Sequence, residues 1–224
     1  ESVPSVSVAE RGDGAVALGS SNLDYRQLIS WEGRYNDLFI IDVEDGATRL
    51  VAEMVRGGAS LSPSGAYATW WDGFETAWMV YNIQSGETIN LTENLGVPVH
   101  DLLDDHPDAL RAYGSAGWTE GDELFVAYDE FDAWGIDPSG RTAPRNLTEG
   151  VGRQSNIRFR VIDLDAEDPY VPSDSDVYLS AFDVKTKASG VYRDRFGSNR
   201  VPERLVMEDA RLVTIRKAET ADVI

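Results

Sequence analysis

One phrase occurs four times along this chain: an apolar strand, an Asp or Asn, a short polar turn closing on Gly, and a second strand. It reads LFIIDVEDGATRLV from Leu38, WMVYNIQSGETINLT from Trp78, AWGIDPSGRTAPRNLT from Ala133 and, more loosely, YLSAFDVKTKASGVYR from Tyr178. Each copy predicts a β-hairpin, because an apolar run that reverses over polar residues and a Gly can pair with itself. The closing glycines, Gly46, Gly86, Gly140 and Gly190, are 40, 54 and 50 residues apart. That spacing matches the period of about 40 to 50 residues of propeller blades.

The residues upstream of the hairpins repeat as well. SLSPSGAYATWWD from Ser60 precedes the second copy, GWTEGDELFVAYD from Gly117 the third, and a weaker AERGDGAVALGSS from Ala9 the first. Each is a polar turn feeding an apolar strand, the inner half of a four-stranded unit. A sandwich of hairpins would seldom repeat both halves of such a unit at this interval. The expected fold is therefore all-β, a β-propeller of about four to five blades of four-stranded antiparallel sheets.

Composition narrows the function classes. With 224 residues, 42% hydrophobic content, six Trp and nine Tyr, the chain can bury a substantial core. Its apolar runs are strand-sized, so no membrane span is expected, and ESVPSVSV at the start lacks the basic and apolar regions of a signal peptide. The absence of cysteine excludes disulfides and thiolate metal sites. A formal charge of −19 excludes a nucleic-acid partner, which needs clustered Lys and Arg. Lysine occurs only at Lys185, Lys187 and Lys217, and such an acidic, lysine-poor surface is expected of a protein kept soluble in salty water.

From Ser60 to Tyr192 the chain resembles the N-terminal propeller of bacterial prolyl-oligopeptidase-like serine peptidases. The elements AYGSAGWT, YDEFDAWGIDPSG, NLTEGVGR and LSAFDVKTKASG carry the likeness in order, and the segments Trp31 to Gly33 and Tyr35 to Asp42 add to it. The resemblance implies a non-catalytic propeller over residues 1–224 that gates the access of peptide substrates to an α/β-hydrolase domain further along the same polypeptide. It also implies a periplasmic or extracellular location. Nothing in this chain matches the hydrolase domain: there is no G-x-S-x-G elbow and no βα alternation. No catalytic residue is therefore assigned, and no cofactor is expected. Propellers of that family have seven or eight blades, so the chain is expected to be part of a larger propeller, with AETADVI beginning a further strand. The alternative is a stand-alone propeller that binds a protein or cell-envelope partner through its rim.

Several residue groups are candidate sites. His100, Asp101, Asp104, Asp105, His106 and Asp108 gather imidazoles and carboxylates, and His100, Asp104 and His106 are the weak candidates for a metal. They lack the alternating ligands and central Gly of a calcium loop, and the two His are not at helical zinc spacing, so a solvated loop accounts for them better. Trp70, Trp71, Phe74 and Trp78, and Tyr128, Phe131 and Trp134, are rings that either stack on sugars or pack between blades; packing is the expectation. Trp70 and Trp71 must face opposite ways on a strand. Asn90-Leu91-Thr92 and Asn146-Leu147-Thr148 fit the glycosylation pattern but, as equivalents in two repeats, are expected to close strand ends. Arg153, Arg158 and Arg160 could hold a peptide carboxylate on a propeller rim, against pairing with the local Asp163 and Asp165.

The charge itself generates a prediction. If the excess carboxylates repel one another, salt should stabilise the fold, since the Debye length falls to about 3 Å at 1 M. The melting temperature should rise between about 0.05 M and 1 M sodium chloride, and potassium chloride should act equally. A flat or falling curve would refute salt adaptation.

Overall fold

A computed structural model describes residues 3–9, 14–165, 167–212 and 215–216. The chain is all-β. Among the described residues helix is limited to α1 (Val151–Ser155) and three 3₁₀ turns at Leu23–Tyr25, Leu28–Ser30 and Glu120–Asp122. The chain divides into two compact units, one running to Ala112 and including Pro138–Gly140, the other starting at Tyr113.

The first unit holds two sheets. One joins β1 (Ser5–Val8), β2 (Val16–Ser21), β3 (Asn36–Asp42) and β4 (Thr48–Val55) in sequence order; the other joins β5 (Ala59–Leu61), β6 (Tyr67–Asp72), β7 (Ala77–Asn82) and β8 (Thr88–Asn90). All neighbours are antiparallel, the meander of a propeller blade. Leu18, Leu38, Ile40 and Val55 of the first sheet pack with Ala68, Trp70 and Tyr81 of the second in one buried cluster. The turn between β1 and β2 falls partly outside the described residues.

The second unit repeats the plan with one exchange. Its third sheet follows β9 (Ser115–Thr119), β10 (Phe125–Tyr128), β11 (Ala133–Ile136) and β12 (Arg145–Asn146). The fourth begins with β13 (Ile157–Val161). The chain then leaves it, lays β14 (Tyr170–Val171) parallel against β9, and returns through β15 (Val177–Asp183), β16 (Ser189–Asp194) and β17 (Glu203–Glu208). The third sheet is therefore five-stranded and the fourth follows β13-β15-β16-β17. Val126, Tyr128 and Leu147 meet Phe159, Leu179, Tyr192 and Phe196 in the core of this unit.

The first, second and fourth hairpin turns share one mechanism. In the first, the Gly46 N–H donates to the Asp42 carbonyl at 2.9 Å, and the Asp42 carboxylate accepts from the Glu44 and Asp45 N–H groups. Asn82 does the same for Gly86, Gln84 and Ser85. The residue that closes the turn has positive φ, +75° at Gly46 and +76° at Gly86, a conformation Gly adopts without a Cβ penalty.

The fourth copy corrects the sequence reading. Asp183 accepts from Lys185, Thr186 and Lys187, and Lys187, at φ +69°, closes the turn. Gly190 lies three residues later, inside β16, where it pairs with Ala181 and Met207. It is needed there for space: a Cβ would collide with the Val206 carbonyl oxygen and come within 2.6 Å of Met207 Sδ. Counted on the residue that closes each turn, the last interval is 47 residues rather than 50. The longer 54-residue interval contains the acidic loop after β8, and the 47-residue one contains the excursion to β14.

Two substitutions separate these roles. Gly190→Ala should lower stability by about 1–3 kcal/mol through overpacking against backbone. Lys187→Gly should leave stability unchanged or raise it by up to about 1 kcal/mol by relieving a left-handed non-glycine residue. Urea unfolding of the two variants checks the assignment; a larger loss for Lys187→Gly would reverse it.

Candidate functional site

The side chains of the acidic loop make separate local contacts. His100 sits in an isolated bridge opposite Ala112. The Asp101 carboxylate accepts the Leu103 N–H at 2.9 Å. Asp104 bonds His106 Nδ1 at 2.6 Å, and this bond holds its carboxyl below the usual range. The His106 side chain is 77% exposed, and Asp108 pairs instead with Arg56. Among the described residues no group of three or more His, Asp or Glu side chains is arranged to hold a metal ion. His100, Asp104 and His106 thus do not come together as a ligand set.

The aromatic residues divide by face. Trp70 is buried in the core of the first unit. Trp71, on the other face of β6, meets Trp78 edge-on at 5.6 Å and donates from Nε1 to the Leu110 carbonyl at 2.7 Å. Phe74 is exposed at the tip of the following loop. Asn90 and Asn146 close strand ends: each Oδ1 accepts the N–H of the Thr two residues on, at 2.9 Å for Thr92 and 3.0 Å for Thr148, and Asn90 also accepts the Thr92 hydroxyl at 3.1 Å. The leucines between them, Leu91 and Leu147, are buried.

The densest constellation lies in the loop from β10 to β11, in YDEFDAW. Asp129 has no exposed surface, yet its carboxylate accepts four hydrogen bonds. Oδ1 takes the N–H groups of Phe131 and Asp132 at 2.6 and 2.7 Å, and Oδ2 takes Trp134 Nε1 at 3.1 Å and Arg153 at 2.9 Å. Asp132, 1% exposed, takes the Thr148 hydroxyl at 2.7 Å, the Gly152 N–H at 2.9 Å and the Arg153 N–H at 3.1 Å. Burial pushes the Asp132 carboxyl up, and these hydrogen bonds oppose the shift. α1 is thereby moored to the loop. At Gly152 a Cβ would come within 2.7 Å of Asp132 Oδ1 and 2.9 Å of the Phe131 carbonyl, so only Gly permits this approach.

The arginines of α1 and the fourth sheet reach the same loop, which corrects their expected partners. Arg153 pairs with Asp129 and lies over the Phe131 ring at 5.3 Å. Arg158 donates to the Glu130 carbonyl at 3.2 Å and lies 3.7 Å from its carboxylate. Arg160 stacks over Tyr128 at 4.4 Å and donates to the carbonyls of Phe159 and Asp129; burial brings it down to about 10. Asp163 and Asp165 instead accept N–H groups of their own loop. Arg158 and Arg160 are two apart on β13 and so share a face, which presents them to the β10–β11 loop and not to residues beyond the strand end.

Sequence reading missed Asp129 and Asp132. The signal that marks them is a repeat: Asp72 holds the N–H groups of Phe74 and Glu75 as Asp129 holds those of Phe131 and Asp132, so WDGFETAW and YDEFDAW are one loop in two sheets. Chemically the network is a fastening. Four donors occupy the lone pairs of Asp129 and three those of Asp132. The outward parts of Arg153 and Arg158, with side chains 48% and 35% exposed, are the groups there that a carboxylate could reach.

Comparisons with known proteins return structural matches alone, all at TM-scores below 0.5. No protein-family model and no curated protein matches the chain. Among solved structures, TolB from Acinetobacter baumannii matches with 10% identity and TM-score 0.45, over 92% of this chain and 43% of its own. The β-propeller domain of the Trilobed protease from Pyrococcus furiosus matches with 11% identity and TM-score 0.46, over 91% and 56%. The acylaminoacyl peptidase of Pyrococcus horikoshii matches with 14% identity and TM-score 0.45, over 91% and 32%. The chain spans less than two thirds of each matched structure.

The fastening can be tested by removing charge without changing shape. Asp129→Asn places an N–H₂ group against two donors and should cost about 2–4 kcal/mol in urea unfolding. Glu130→Gln, at a longer and more exposed pair, should change stability by less than about 1 kcal/mol. Equal effects would show that the buried network does not hold the loop.

Proposed function

We propose that this chain is the propeller portion of a prolyl-oligopeptidase-like serine peptidase of the periplasm or cell exterior. In this reading it is non-catalytic and limits which peptides reach a hydrolase domain that follows it in the polypeptide. One observation carries the reading: two of the elements that resemble the peptidase propellers, YDEFDAWGIDPSG and NLTEGVGR, meet in the Asp129–Asp132–Arg153 network. Their charged groups fasten two sheets and are not arranged for chemistry. Covalent catalysis needs a nucleophile, a base and an orienting group in contact. Neither imidazole of the chain is hydrogen bonded to a hydroxyl among the described residues, and His106 points into an exposed acidic loop.

Selectivity then arises by exclusion. A rigid wall of antiparallel sheet, its loops fixed by buried carboxylates, admits short or unfolded peptides and turns folded proteins away. Residues 1–224 expressed alone should neither hydrolyse a chromogenic prolyl substrate nor react with a serine-directed fluorophosphonate. The longer polypeptide should do both, and should cleave short peptides in preference to folded proteins. Stoichiometric labelling of the isolated chain, lost on mutating one Ser, would place the chemistry here and defeat the proposal.

A further inference from the structure

Strand β4 is interrupted near its end. Asn36 pairs with Val55 and Leu38 with Ala52, so Glu53 and Met54 together face the single residue Asp37, a β-bulge. Met54 stands at φ +58°, a left-handed conformation unfavourable for a bulky side chain. The surroundings hold it there: its N–H donates to Asp37 Oδ1 at 3.0 Å, and the same oxygen accepts the Tyr25 hydroxyl at 2.5 Å. Bulges recur where a side chain is re-aimed, and strain that its neighbours maintain points to use.

Met54 lines a cavity of about 130 Å³ shared by β4 and the β6–β7 hairpin, both in the first unit. Trp70 and Met79 supply buried apolar lining, while Met54 from one sheet and Phe74 from the other are 46% and 62% exposed. Adaptable thioethers beside aromatic rings suit the uptake of an apolar side chain. The volume is close to that of a cavity that admits one benzene, roughly 150 Å³, so the occupant supplies a single ring. Glu53 and Asp72 also line the cavity, while its cation, Arg56, is bound to Asp108 and lies over Tyr35 at 5.7 Å. The opening is therefore negative and favours a cationic neighbour to the ring. β4 is also the last strand of its sheet, so a peptide can lie along its edge beside the cavity. We propose that this cavity takes the aromatic side chain of a peptide segment whose flanking residues are basic, the ring entering between Met54 and Phe74 and the cations lying near Glu53 and Asp72. The site does not depend on the peptidase reading.

The test is a calorimetric titration of the full chain with the peptide acetyl-Lys-Phe-Lys-amide. Its controls are acetyl-Lys-Gly-Lys-amide, which lacks the ring, acetyl-Glu-Phe-Glu-amide, which reverses the charge, and phenethylammonium, which keeps ring and cation without a peptide backbone. Saturable binding of the first peptide is expected, at least about tenfold tighter than any control. Phe74→Ala, in an exposed loop, should weaken it about tenfold, and Glu53→Gln about two- to fivefold. Met54→Gly should also weaken it about tenfold without lowering the urea midpoint, since Gly takes the left-handed conformation without a Cβ penalty. Phe74→Ala reads out the site even if Met54→Gly unfolds. Absence of saturable binding, unchanged binding in Phe74→Ala or in folded Met54→Gly, or a control that binds as tightly would overturn the proposal.

Discussion

The fold of the second unit depends on a carboxylate held entirely out of water. An ionised Asp at the position of Asp129 would be strongly destabilising alone. It is tolerated because four donors converge on it from three places: the backbone of its own loop, the indole of β11 and the guanidinium of α1. The same contacts fix the loop, set the start of α1 through Asp132, and give β13 its bearing, since the Phe159 N–H donates to the Phe131 carbonyl at 2.8 Å. Remove the carboxylate and these segments lose a common reference point. The core around Phe159 and Leu179 supplies the larger share of stability, but apolar packing has no direction of its own, and the polar network supplies that direction.

Much of this was legible in the letters. Asp42, Asn82 and Asp183 announce their turns because a short polar side chain facing its own backbone is a local event. The inner strands were readable for the same reason: Ser62 and Thr119, in the upstream phrases, each accept through the hydroxyl from the N–H five residues on, at 3.0 Å. Gly190 misled because a hairpin contains glycines for two reasons, left-handed backbone and close approach, and a sequence does not distinguish them. The partners of Arg158 and Arg160 were illegible since they are chosen across sheets. The two residues of β14, Tyr170 and Val171, favour strands but are too few to mark one in sequence; their pairing is decided by the free edge of β9.

The acidity of the chain has a double character. A charge of −19 suggests a surface adapted to solvent, yet a large share of the aspartates are local acceptors. Asp42, Asp72, Asp101, Asp163, Asp165, Asp168 and Asp183 each take a backbone N–H two residues on. Such groups serve the fold at any salt concentration. Those that only repel are the ones salt can relieve, and they are fewer than the composition suggests.

The exchange of β14 has a consequence for the order of assembly. During synthesis β9 to β12 leave the ribosome first, but the edge of β9 stays open until Tyr170 and Val171 arrive, after β13 has already been made. By then the chain is committed to returning through β15. The third sheet is thus completed only by residues that lie inside the fourth, so neither can finish as an independent nucleus, and the pair should appear or vanish together. A nascent chain paused before Tyr170 would show its neighbours a bare strand edge, the kind of surface on which misassembly begins.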